Sequence, residues 1–225
     1  MAETLTSPLI ARRAGVRHGF SPEPASIAAW RPNQVHGAAI AEPRGCCVPP
    51  VPADAALSRA GGPTVGVVTA DCVPILLAAE GGAAVAAVHA GWRGLAAGVV
   101  EATIERLRTA APGRALVAAV GPAAGGCCYE VGPEVIAALA PAAQRVAPGP
   151  RGRPLLDLGG VTVDRLQAVG LAADAIDRVG PCTICSSGWP SYRRDGDRAG
   201  RALAFIAPAP NSGRSRPSGS SLHAR

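Results

Sequence analysis

Three short apolar runs, Val65–Thr69, Val73–Leu77 and Ala83–His89, follow one another closely in the middle of the chain and read as β-strands. Leu95–Ala110 reads as an amphipathic helix, with Val99, Val100, Ile104 and Leu107 on one stripe and Pro112-Gly113 ending it. Further on, Ala115–Val120 reads as a strand, Pro133–Arg145 and Val161–Gly170 as helices, and Ile176–Val179 and Ala202–Ile206 as strands. This mixture predicts a layered α/β or α+β domain, mixed sheets flanked by helices. Residues 1–60 are Pro-rich and only weakly periodic, and no internal repeat is visible.

Such a core has to be built from small aliphatic side chains. Of 225 residues 48% are apolar but only 3% aromatic, and the Gly and Pro, about a fifth of the chain, show no collagen-like period. Apolar runs break well before about 18 residues, so no membrane-spanning helix is expected. An acidic residue near Met1, with no basic-then-apolar segment, predicts a cytoplasmic protein without an export signal.

All 22 basic residues are Arg. The absence of Lys excludes a Schiff-base lysine, a P-loop lysine and a Ser–Lys dyad. Half of the net charge of +6 comes from Arg214, Arg216 and Arg225 in an acid-free, Ser/Pro-rich stretch, 208–225, expected to be a disordered tail after a catalytic domain at 1–207. No basic stripe is interleaved with aromatics, so nucleic acid is not the expected partner. Seven Cys without an export signal argue for reduced thiols.

Four His leave few candidates for chemistry. His36 sits in Asn33-Gln34-Val35-His36-Gly37, and His89 ends a strand and enters Ala90-Gly91-Trp92-Arg93-Gly94. His18 lies in a short His-Gly-Phe stretch and His223 in the tail. Cys72 follows Asp71 between two strands. Strand ends in α/β folds tend to carry ligand sites. The turn after His89, with Arg93, offers amides and a guanidinium to an anion such as phosphate, or is a tight turn whose Trp packs on the core. Arg193-Arg194-Asp195-Gly196 reads as a solvated turn or an anion clamp. Gly125–Glu130 places Cys128, Tyr129 and Glu130 after a Gly-rich turn, as pocket lining or proton-transfer groups, or as plain packing. Cys182 and Cys185 form the only CxxC, and a four-thiolate zinc knuckle needs a second such pair. Cys46-Cys47 falls in a Pro-rich loop with no role assigned.

Five segments occur together in order: Asn33–Gly37, Thr69–Leu77 (TADCVPILL), Ala87–Gly94 (AVHAGWRG), Gly121–Gly132 (GPAAGGCCYEVG) and Ser191–Gly196 (SYRRDG), the last followed by Gly200-Arg201. In this the chain resembles the YfiH-like proteins, the polyphenol oxidase or laccase-domain family also described as multifunctional purine nucleoside enzymes, over residues 15–207. The resemblance implies zinc bound by His36, Cys72 and His89, with a fourth position open as in catalytic zinc sites. It implies phosphorolysis of adenosine, inosine and methylthioadenosine to base and ribose 1-phosphate, and deamination of adenosine. It also implies an α/β sandwich shared with cysteine hydrolases. Arg93, Arg193 and Arg194 are the candidates for phosphate and Glu130 for substrate, and a monomer or homodimer is expected. Family members usually carry a longer stretch where Ser21–Pro32 lies here, so part of the usual pocket wall is expected to be missing. Trp189-Pro190 stands where the family often has Phe-Phe.

Two other readings use the same residues. A multicopper oxidase needs many His around a blue site and a trinuclear cluster, more than this chain offers, although adventitious copper would allow phenol oxidation. A Cys–His hydrolase, such as a peptidoglycan-editing enzyme, would use Cys72 as nucleophile and His89 or His36 as base. A non-enzymatic metal-binding protein would bind zinc without turnover.

Overall fold

The computed structural model describes residues 3–24, 27–43, 49–140 and 142–211. Cys46, Cys47, His223 and most of the expected tail lie outside them. A six-stranded mixed sheet forms the middle layer. Its strands are β2 (Ile40–Ala41), β3 (Ala55–Arg59), β5 (Val73–Ala79), β6 (Ala84–Ala90), β7 (Leu116–Val120) and β10 (Ile176–Arg178), in the order β10-β7-β5-β6-β3-β2. The central pairs β7-β5, β5-β6 and β6-β3 are antiparallel, and the edge pairs β10-β7 and β2-β3 are parallel. β1 (His18–Ser21), β4 (Val65–Thr69) and β11 (Ala202–Ile206) form an antiparallel sheet in the order β1-β11-β4. β8 (Val146–Ala147) and β9 (Leu155–Leu156) make a small ribbon.

The period of two along a strand divides each central strand between two cores. Val73, Ile75, Leu77 and Ala79 of β5, with Ala84, Ala86 and Val88 of β6, pack against helices α3 (Val99–Ala110) and α5 (Leu158–Ala168). Leu76, Ala78, Val85 and Ala87 face the other way, onto the three-stranded sheet and helix α1 (Pro8–Ala14). A sheet covered on both faces explains why these strands read as unbroken apolar runs rather than as alternation.

Local chemistry sets the helix ends. The Ser7 side chain accepts from the Ile10 N–H, Pro8 opens the first turn, and Gly15 closes α1 at φ 65°. Asp157 accepts from the Gly160 N–H, so α5 starts before the expected Val161. The helix expected over Leu95–Ala110 is two, α2 (Trp92–Ala96) and α3, parted at Gly98, whose φ of 84° a right-handed helix cannot contain. The helix expected over Pro133–Arg145 stops as α4 at Ala138, and a 3-10 turn follows over Ala142–Arg145. The weakly periodic first segment supplies α1, β1, β2 and β3. Among the described residues no helix is long and apolar enough to cross a membrane.

Candidate metal centre and cleft

Strand register gathers the site at one end of the six-stranded sheet. Pro74 pairs with His89 and Val73 with Ala90, so Cys72, just before β5, lies beside the end of β6. Ala55 pairs with Val88 on the other side, which sets Asp54 beside His89, and the His89 N–H donates to the Asp54 carbonyl at 2.7 Å. His36 comes from the loop between Asn33 and β2, in left-handed backbone at φ 61°.

Asp54 holds that strained loop. Its carboxylate accepts the N–H groups of Val35 (3.2 Å), His36 (2.9 Å) and Gly37 (2.6 Å). The same carboxylate lies 2.8 Å from His89 Nδ1. A fully buried carboxylate is costly unless paired, and these four donors pair it. Burial pushes its pKa up, but His89 and the three amides outweigh this and hold it below the ordinary value.

His36, Cys72 and His89 bring their potential ligand atoms within 4.8 Å of one another. The imidazole rings meet edge to face at 4.8 Å. Burial pushes the Cys72 thiol up, yet hydrogen bonds with His36 and His89 bring it down to about 7. Burial pushes His89 down, yet Asp54 and Cys72 raise it to about 9. The donor set suits a thiophilic, borderline-soft ion, and the carboxylate on the far nitrogen of His89 fixes the tautomer that aims Nε2 at the sulfur. Gly91 leaves the needed room: a Cβ there would stand 3.1 Å from Cys72 Sγ and 3.2 Å from the His36 ring.

The three residues line an open cleft of about 610 Å³, together with Asn33, Gln34, Tyr192 and Arg201. Gln34 is fixed by two 2.8 Å bonds to the Val68 backbone. Tyr192, 53% exposed, offers a ring at the cleft.

The remaining candidates are placed differently. Arg93 is exposed, with its guanidinium over the Trp92 ring at 4.2 Å, outside the cleft lining. Arg193 donates to the Glu130 carbonyl at 2.8 Å and lies over the Tyr129 ring, while the Glu130 carboxylate pairs with Arg151. Arg194 corrects an expectation. Its guanidinium donates to the carbonyls of Thr183, Ile184, Ser186 and Trp189 and to Asp195, so no donor is left for an anion and it orders a loop instead. Tyr129 is half-buried, and burial, with the Cys72 and Asp71 charges, raises its pKa against Arg193 and Arg93. Cys128 is not part of the cleft lining but joins three other thiols. His18 is a satisfied core histidine between the Ser7 N–H and the Val16 carbonyl.

Sequence reasoning missed Asp54, Gln34, Tyr192 and Arg201 as site residues. Gln34, Tyr192 and Arg201 lie in the segments that carry the resemblance, and Asp54 left a local signal of its own, an acid inside the apolar stretch Ala53–Leu57 that folding would have to pair.

The profile of the family described as multi-copper polyphenol oxidoreductase laccase matches residues 11–209. A purine nucleoside phosphorylase of Streptomyces coelicolor is 40% identical over 214 residues, 91% of this chain and 82% of that protein. One of Xylella fastidiosa strain Temecula1 is 42% identical over 161 residues, 68% of this chain and 61% of that protein's length. Among solved structures, YlmD from Geobacillus stearothermophilus superposes with a TM-score of 0.71 at 30% identity, covering 81% of this chain and 74% of that one. A Neisseria meningitidis protein gives 0.72 at 31% identity, covering 82% and 76%. A profile matched over most of the chain, on the fold its solved relatives share, shows that the chain belongs to the YfiH-like, multi-copper polyphenol oxidoreductase laccase family.

Proposed function

We propose that this protein is a zinc-dependent purine nucleoside phosphorylase. It converts adenosine, inosine and methylthioadenosine to free base and ribose 1-phosphate, with deamination of adenosine as a side activity. The observation that carries this reading is the His36–Cys72–His89 set lining an open cleft large enough for a nucleoside. The relatives' names support the reaction class.

His36, Cys72 and His89 would hold the ion, and three protein ligands rather than four are the number found in catalytic zinc sites. Zinc held there supplies Lewis-acid polarisation of a purine or sugar oxygen, or of the water that deamination needs. The chain's own residues do the rest. Asp54 orients both histidines and fixes the His89 tautomer. Tyr192 offers its ring for the purine to stack on. Phosphorolysis breaks the C1′–N9 bond as phosphate adds to C1′, so an anion must be bound near the sugar. Arg201 lines the cleft for that task, while Arg93 and Arg193, outside its lining, are the further candidates. Tyr129 is a further candidate for proton transfer, whereas Cys128, grouped with three other thiols outside the cleft lining, is not. Electrostatic or general-acid help to the leaving purine is typically worth about 10² to 10⁴-fold.

The copper oxidase reading lacks donors. Only His18, His36 and His89 are histidines among the described residues, and His18 is taken up by Ser7 and Val16. A hydrolase reading rests on a specific geometry: Cys72, His89 and Asp54 stand in the order nucleophile, base, orienting carboxylate. The test is product analysis of zinc-loaded protein with adenosine, with and without phosphate. Adenine and ribose 1-phosphate formed only with phosphate, with minor inosine, is the expected result. No product from adenosine or inosine at full zinc occupancy refutes the reading, and a Cys72 that is rapidly alkylated in zinc-treated protein favours the hydrolase.

A further inference from the structure

Among the described residues a second set of metal donors lies apart from the cleft. Cys127, Cys128, Cys182 and Cys185 bring their four sulfurs within 4.8 Å of one another, and all four are free thiols. The pair missing from the sequence is thus the adjacent Cys127-Cys128, brought to Cys182-x-x-Cys185 by a parallel bridge between Ala123 and Cys182 and by the Thr183 N–H bonding the Ala123 carbonyl.

The geometry points to a tetrathiolate site for one zinc-like divalent ion, held by Cys127, Cys128, Cys182 and Cys185, that staples the loop after β7 to the loop after β10. Zn–S bonds of about 2.3 Å set tetrahedral sulfurs about 3.8 Å apart. The Cys127 and Cys185 sulfurs already stand at 3.9 Å. A multinuclear iron–sulfur cluster would place its own sulfides between the thiolates and spread them further. The backbone is shaped for the task. Amides of Cys185, Gly125 and Ile184 are directed at the Cys182 sulfur, Gly125 at 3.2 Å, and amide donors spread the charge of a metal-bound thiolate. A Cβ on Gly125 would meet Cys182 Cβ at 3.0 Å, so glycine permits the approach. Crowding four ionisable sulfurs without a cation is unfavourable: burial, then the neighbouring thiols, push Cys128 well above its ordinary value. Binding exchanges thiol protons for the ion, with no change of oxidation state.

The staple would bear on the cleft without touching it. Thr183, between the two cysteines of the CxxC, donates to the Asp71 carboxylate at 2.7 Å, and Asp71 precedes Cys72. Arg194 holds the carbonyls of Thr183, Ile184 and Ser186 in the same loop. The closed, four-protein-ligand set marks a structural site, in contrast to the three-ligand set in the cleft.

The test uses the full chain purified under reduction, loaded with zinc and gel-filtered. Two zinc ions per wild-type chain are expected, and one in each of Cys72→Ala and Cys182→Ser. Cobalt(II) in Cys72→Ala should give the intense thiolate charge-transfer and d–d bands of a tetrahedral four-sulfur site. Should Cys182→Ser fail to fold, alkylation mapping of the wild type decides. Zinc should protect Cys127, Cys128, Cys182 and Cys185 at least tenfold in rate. One zinc in the wild type and none in Cys72→Ala, with the four thiols alkylated equally with and without zinc, overturns the proposal. Disulfides among these four in anaerobically prepared protein overturn it as well.

Discussion

Asp54 accepts from three consecutive amides and from His89, so one carboxylate sets both the loop and the ring that carry two of the three candidate metal-binding residues of the cleft. Asn in its place keeps the shape but offers one acceptor and one donor where two acceptors were needed. Asp54→Asn is expected to weaken zinc binding in the cleft by about 10–100-fold, the usual effect of removing such a partner. Competition against a chromophoric chelator measures it, and an unchanged affinity refutes the role. Arg201 and Arg93 separate on position, since the first lines the cleft and the second stacks on Trp92 outside it. Arg201→Gln should raise the phosphate KM by about 10–100-fold, the worth of a charged hydrogen bond. Arg93→Gln should raise it less, and equal effects would reject the assignment. His36, Cys72 and His89 were legible because each sits in a motif that ordered comparison recognises. Asp54 was not, because its partners lie 17 to 35 positions away along the chain.

β5 shows what a two-faced strand demands. Leu76 and Leu77 are adjacent and fully buried, yet one fills the sheet–sheet core and the other the sheet–helix core. Leu76→Ala and Leu77→Ala should each destabilise by about 2–5 kcal/mol, from lost transfer energy and the cavity left behind. Urea unfolding gives both values, and a near-zero cost at either position would mean that its face is not covered as described. The central strands were readable because their apolar runs are continuous. The break at Gly98 was not, because a single glycine inside a helical pattern is compatible with an intact helix, and only packing forces its φ of 84°. β1 escaped detection for another reason: its four residues gain their partners from β11, at the other end of the described chain.

For the molecule as a whole, proton binding links stability to pH. In metal-free protein Cys72, lowered to about 7 from 9.0, contributes stability that is full above pH 9 and lost as pH falls through about 7. The stability gap between wild type and Cys72→Ser should therefore widen as pH rises from about 7 to about 9. Urea midpoints measured across that window check this, and a pH-independent gap contradicts it. His89 runs the opposite way, raised from 6.5 to about 9, so its contribution is full below pH 6.5 and lost as pH climbs through about 9. Asp54, Asp157 and Asp164, all held below 3.8, contribute stability that is lost as pH falls through their lowered values. What the sequence alone determined was the class of fold and the three candidate residues of the cleft: strand and helix periodicities are local, and motif residues need no partner to be recognised. Tertiary structure alone decided which groups meet. The antiparallel register of β3, β5 and β6 sets Asp54, Cys72 and His89 at one sheet end, and the bridge from Ala123 to Cys182 makes one cluster of two cysteine pairs more than fifty residues apart. Pairing of that kind is fixed by burial of the two shared cores, a property of the whole chain that no window of sequence contains.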